Sequence, residues 1–155
     1  MIYYQLIVIH LFDGIFMEVE IIKLSVKSTE KEVVEFLIQL QNILKQKDFN
    51  VNRDLRIIKS EKDEKDVRYS TPYTMVDLEY DDSDIAARLS ELTIRDYCET
   101  LVDKDDVNPP LLFVFGKDIK GKQIYIKLKI KGNERKRILC VSFHYAKEKM
   151  MFPYA

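Results

Sequence analysis

Three side chains near the carboxyl end have the types that acid–base and electrostatic catalysis require: Tyr125, Lys127 and His144. An imidazole titrates near neutrality and exchanges protons readily. A phenol can stack on a base or pass a proton, and an ammonium group can hold a phosphate. Lys117, Lys122, Lys129 and Arg137 supply further positive charge for a phosphodiester backbone. On single-stranded RNA such a set has a definite chemistry. A positioned general base takes the proton of a ribose 2′-hydroxyl, which then attacks its own phosphate. Lysines stabilise the charge that develops on the phosphoryl oxygens, and a protonated histidine supplies the leaving 5′-oxygen. The reaction calls for no metal or other cofactor, leaves a 2′,3′-cyclic phosphate and spares DNA. The same residue types also suit a solvated sheet surface, and pattern alone does not separate the two.

The elements that must position these residues lie in 111–145. Ile124, Ile126, Leu128 and Ile130 alternate with Tyr125, Lys127, Lys129 and Lys131, the period-two pattern of a strand with one buried face. Gly132-Asn133 follows, then the apolar run Ile138 to Phe143, so an antiparallel hairpin with a loop of four or five residues is expected. An upstream run from Leu111 to Phe115, ending at Gly116 and joined through Lys117–Lys122, adds a third strand. In the second hairpin strand strict alternation assigns Leu139, Val141 and Phe143 to the core. Cys140, Ser142 and His144 then share the face of Tyr125 and Lys127. Gly116, Gly121 and Gly132 have the spacing of turns.

At 155 residues the chain is expected to be one domain, with residues 1–16 as an extra strand or extension. The formal charge of −1 hides an asymmetry: residues 111–155 hold 11 Lys/Arg against 3 Asp/Glu, and residues 1–110 hold 14 against 23. A basic carboxyl end attracts a polyanion, and an acidic remainder limits indiscriminate binding. Two cysteines, Cys98 and Cys140, are too few for a disulfide framework, and their use fits a reduced cytoplasmic interior. No apolar run approaches the roughly 20 residues of a membrane span.

The run Leu6 to Phe12 lacks a basic leader and cleavage site and reads as a buried strand, with His10 structural. Met17 is an alternative start. Thr29 and Glu32 form a capping box before a helical stripe of Val33, Phe36, Leu37, Leu40, Ile43 and Leu44, which predicts a helix over 29–47. Phe49 to Ile58 includes a strand, 59–70 is a charged loop, and Pro72 to Leu78 is an extended connector. Asp81 to Asp84 are helix caps ahead of Ile85, Leu89 and Leu92 rather than a calcium loop. Thr93 and Asp96 start one more helical turn through Cys98. Leu101 to Pro110 is a loop with Pro109-Pro110 at its end. Helices before a mostly antiparallel sheet make an α+β organisation.

The sequence holds no phosphate-cradling glycine loop, no HExxH, no nucleophile elbow and no paired-cysteine metal motif. The segments QIYIKLKI, KRILCVSFH and YAKEKMMFPY nonetheless resemble the carboxyl-terminal region of the MqsR-type toxins, the motility quorum-sensing regulator family. LSELTIRDYCE (89–99) resembles the short segment that precedes that sheet. The resemblance implies a compact α+β fold like that of RelE-type toxins, with helices packed on a twisted sheet. It also implies a type II toxin that cleaves mRNA without the ribosome, in the cytoplasm, and is held inactive by an antitoxin through which alone DNA is contacted. Tyr125 and Lys127 match the family's Tyr-x-Lys strand, and His144 stands at the basic residue after its Ser-Phe pair, a lysine in the best-known branch. A further lysine of the family falls on Glu99, and a glutamine falls near Val114 or Phe115. The alternatives are a noncatalytic RNA- or protein-binding module using the same basic face, or a structural protein whose edge strand pairs with a partner.

Overall fold

The computed structural model describes residues 7–12, 16–21, 25–60, 64–103 and 110–155, with only the backbone of the first two stretches. Strands β1 (Ile7–Phe12) and β2 (Phe16–Ile21) pair antiparallel as a two-stranded sheet. The burial of the first strand and the role of His10 lie outside the described residues, as do Asp105, Asp106 and Pro109. The remaining strands are β3 (Ser25–Val26), β4 (Leu55–Ile57), β5 (Tyr97–Leu101), β6 (Leu112–Ile119), β7 (Lys122–Lys131) and β8 (Arg137–Tyr145). They form one sheet in the order β3-β5-β6-β7-β8-β4, antiparallel except where β4 runs parallel to β8. Among the described residues there are four α-helices: α1 (Glu30–Lys45), α2 (Val51–Asp54), α3 (Thr71–Leu78) and α4 (Asp82–Leu89). The fold is α+β, with helices before and around the sheet, and no helix described is long and apolar enough to cross a membrane.

Helix α1 begins where the capping box places it. Thr29 accepts from the Glu32 amide, and Glu32 reaches back to the Thr29 amide. Its apolar stripe buries Val33, Phe36, Leu37, Leu40 and Ile43, and the Phe36 ring lies 4.2 Å from that of Phe113 on β6. Asp81 and Asp84 likewise form a capping box on α4. The stretch expected to be an extended connector is instead α3. Ser70 caps it and Pro72 sits in its first turn, where a missing amide proton costs nothing. Its threonines finish the sheet edge, because Thr71 and Thr74 accept from the Phe143 and Tyr145 amides of β8. The strand expected within Phe49 to Ile58 is β4, preceded by the short helix α2. One further expectation is corrected: the helical turn begun at Thr93 ends at Asp96, so Cys98 belongs to β5.

The hairpin register decides which side chains share a face. Tyr125 lies opposite His144, Ile126 opposite Phe143 and Lys127 opposite Ser142, but Leu128 lies opposite Cys140. One extra residue of β8 is accommodated as a bulge, and alternation reverses beyond it. Cys140 is therefore buried in the helix-side core with Ile138, and Leu139 is not, contrary to the strict alternation. Burial pushes the Cys140 thiol up to about 12, which leaves it protonated. A second bulge between Tyr97 and Glu99 sends Tyr97 into the helix-side core and lets Cys98 pack on the other face.

Gly116 is no turn. It lies within β6, where an added Cβ would fall 2.7 Å from the Phe152 ring, so the carboxyl-terminal segment packs directly on the strand. With Met150, Phe152 covers a second apolar cluster of Leu101, Leu112 and Val114. The segment ends pinned: the Tyr154 hydroxyl donates to the Ser28 carbonyl at 2.6 Å, and its ring stacks on Tyr97. The sheet is thus covered by helices on one face and by this strap on the other.

The hairpin loop is held by Asp54, whose side chain is fully buried. Arg53 and Arg135 each give it two hydrogen bonds, between 2.9 and 3.1 Å, and the Asn50 amide gives another. Those bonds, from Arg53 first and then Arg135, hold its carboxyl well below the usual carboxylate range. A carboxyl that ionises more easily folded than unfolded stabilises fully above its unfolded value of about 4 and loses that contribution as the pH falls below it. Replacing Asp54 by Ala should cost about 2–3 kcal/mol in urea unfolding at pH 7, since water still reaches the arginines left behind. The difference from the unaltered chain should shrink below pH 4; a constant difference would contradict this account.

Lys120 and Gly121 join β6 to β7 with both φ angles positive, 51° and 78°, a two-residue turn that asparagine tolerates better than lysine. Lys120→Asn should raise stability by roughly 0.5–1 kcal/mol with an unchanged denaturant slope.

Candidate functional site

A cavity of about 860 Å³ opens on the strap side of the sheet. Its floor is built from β7 and β8, which contribute Tyr125, Lys127, Ser142 and His144. Cys98 and Glu99 of β5 form one side, and Ala146–Pro153 of the strap form another. The three residues expected to do chemistry therefore meet in one hollow. Cross-strand pairing sets Tyr125 beside His144, and their rings stack with centroids 5.2 Å apart and planes 14° from parallel. The Lys127 ammonium lies 5.9 Å from the Tyr125 ring centroid.

Burial dominates the electrostatics here. It lowers the His144 pKa below that of an ordinary imidazole; Lys127 and Lys147 add to the shift, and the Tyr145 carbonyl and Glu64 oppose it. The neutral form of His144 is thereby favoured. Its Nδ1 lies 2.9 Å from the Tyr145 carbonyl, which can only accept, so Nδ1 holds the proton and the lone pair is on Nε2. Burial, then Glu99 and Cys98, raise the Tyr125 pKa well beyond that of free phenol, so this hydroxyl keeps its proton. The pair is a base beside a donor. The lowered value of His144 favours a proton acceptor over an imidazolium.

The four supporting cations do not gather at the cavity. Register puts Lys117 and Lys122 on the helix side, opposite the face of Tyr125. Lys117 pairs with Glu91 at 3.1 Å, and Lys122 lies 4.5 Å from the Tyr145 ring centroid and 3.8 Å from Asp77. Lys129 shares the face of Tyr125 but is fully buried, 3.4 Å from Asp103. Arg137 stands at the far end of the hairpin, opposite Lys131. The cations that do line the cavity are Lys27, Lys127, Lys147 and Lys149, set against Glu64, Glu99 and Glu148. Lys147 is paired with Glu64, and Glu99 accepts from the Ser25 hydroxyl.

Sequence reading singled out YAKEKMMFPY but assigned none of its residues, nor Lys27, to the site, because neither has a periodic pattern; a further signal was the density of charge in Lys147–Lys149. Among the described residues no three His, Cys, Asp or Glu are clustered so as to hold a metal ion.

Comparison with protein-family models, curated proteins and solved structures finds no match. The functional reading accordingly stands on the site's own geometry. The segments QIYIKLKI and KRILCVSFH are β7 and β8, the end of LSELTIRDYCE is the start of β5, and YAKEKMMFPY is the strap.

In an NMR titration the His144 ring should show a midpoint below about 6.5, the ordinary imidazole value. Lys127→Ala should raise that midpoint, because a neighbouring positive charge disfavours the imidazolium. A midpoint above the ordinary value would refute the assignment of a neutral base.

Proposed function

We propose that this chain is the toxin of a type II toxin–antitoxin system, a metal-independent endoribonuclease acting on single-stranded mRNA in the cytoplasm. The observation that carries the reading is geometric: His144, its Nδ1 engaged by a carbonyl, stacks on Tyr125 in a cavity that also holds Lys127. Nε2 takes the proton of a ribose 2′-hydroxyl, whose oxygen forms a bond to the adjacent phosphorus. The Lys127 ammonium stabilises the charge gathering on the phosphoryl oxygens. As the bond to the 5′-oxygen breaks, the Tyr125 phenol gives its proton to the alkoxide that forms, a stronger base than a phenolate. Solvent returns the proton from His144 to Tyr125. The products are a 2′,3′-cyclic phosphate and a 5′-hydroxyl. A cognate antitoxin is the partner, and any DNA contact belongs to it.

A second reading is a noncatalytic module that binds RNA or protein; Glu64 and Glu99 in the cavity, whose carboxylates repel phosphate, favour its protein-binding form. Incubating the nuclease-free protein with single-stranded RNA and a chelator separates the two. Under the first reading new cyclic-phosphate ends form, DNA survives, and His144→Ala and Tyr125→Phe each lose about 100-fold or more in rate with folding unchanged. The active form is neutral His144, so the rate should rise with pH through the depressed imidazole value and stay level above it. Retained RNA without new ends would instead establish the binding module. Antitoxin pairing is checked by asking whether an adjacent short open reading frame relieves growth arrest when this chain is expressed.

A further inference from the structure

A second anion-ready surface lies at the other end of the same hairpin. A groove of about 460 Å³ beside β4 is lined by Arg53, Arg56, Lys131, Arg137 and Leu139. Pairing fixes which way these residues face. Lys131 alternates in step with Tyr125 and Lys127 along β7, and Arg137 lies directly opposite it. Leu139 follows on the same side, and Arg56 is its partner across the parallel β4–β8 ladder. Arg56, Lys131 and Arg137 therefore share the sheet face of the catalytic cavity.

The acids bordering this groove are already neutralised. Asp82 pairs with Lys59 at 2.8 Å, and Asp54 is taken by Arg53 and Arg135. Arg56 and Arg137 are exposed and have no acidic partner among the described residues. Two uncompensated guanidinium groups, each a planar fork suited to two phosphate oxygens, stand beside an apolar floor. Along β7, Lys131 is six residues from Tyr125, about 20 Å at the rise of a strand. Only a strand several nucleotides long reaches both places.

We infer that this groove is a second binding site, for the phosphodiester backbone of the same single RNA strand whose cleavage is proposed above, and it rests on that reading. The groove holds a flanking stretch of RNA and so presents the scissile phosphate to Tyr125, Lys127 and His144. It takes backbone rather than bases, because exposed arginines on a strand face recognise charge without sequence.

The test uses 2′-O-methyl RNA, which binds but has no free 2′-hydroxyl to attack. Binding of the full chain is followed by fluorescence anisotropy across salt concentrations, with oligomers of about four and about sixteen nucleotides. The long oligomer should bind more tightly and with the steeper salt dependence. The Arg56→Ala, Arg137→Ala pair should lose that length-dependent gain and flatten the log–log salt slope by about 1.4, two single-strand phosphate contacts. The Arg56→Lys, Arg137→Lys pair should keep most of both, and both pairs should melt as the unaltered chain does. Equal affinity and slope in the alanine pair would overturn the groove while leaving the RNA reading intact. No RNA binding by the unaltered chain would overturn both.

Discussion

The pairing of β7 with β8, interrupted by one extra residue, is the constraint on which the rest of this structure depends. On one side of the interruption Tyr125 meets His144 and Lys127 meets Ser142; on the other Leu128 meets Cys140. A bulge reverses alternation without breaking the ladder. It lets β8 give Ile138 and Cys140 to the helix-side core at one end and Phe143 and Tyr145 at the other. Strict alternation would have sent one of those apolar pairs to the opposite face. The bulge thus serves burial first, and the stacking of Tyr125 on His144 follows from it.

The second constraint is that the sheet is covered twice. Helices α1, α3 and α4 bury one face, and the strap buries part of the other through Met150 and Phe152. The approach is close enough to require glycine at position 116. Its anchor is a buried hydroxyl network: the Ser28 amide donates to the Tyr97 hydroxyl at 2.8 Å, and Thr100 bonds to both side chains. Desolvation beneath this cover is the largest influence on both His144 and Tyr125, and it moves them in opposite directions along the pH scale. Burial disfavours the charged form of each, so one becomes a neutral acceptor and the other a persistent donor.

Charge is distributed less simply than the sequence implies. The carboxyl end is rich in lysine and arginine, yet much of that charge is spent inside the fold. Arg135 holds Asp54, Lys117 holds Glu91, Lys129 lies buried by Asp103, and Lys147 holds Glu64. The surplus of one half is answered by the deficit of the other, contact by contact. Two separated places on one sheet face keep positive charge, the cavity and the groove at the hairpin end.

Local chemistry made much of this legible. The capping boxes of α1 and α4, the isoleucine alternation of β7 and the α+β order are statements about neighbours in sequence, and the chain decides them locally. So is the shared face of Tyr125 and Lys127, two residues apart on one strand. Helix α3 also had its local signal, in Ser70 and Pro72, but a single cap and a proline are weaker than a stripe. Partnership across the fold was not legible. No spacing announces that β8 carries a bulge, that Phe152 lies on Gly116 or that Lys129 is buried while Lys127 lines a cavity. Those outcomes depend on which surfaces compete for burial once distant segments meet, and that competition exists only in the folded chain.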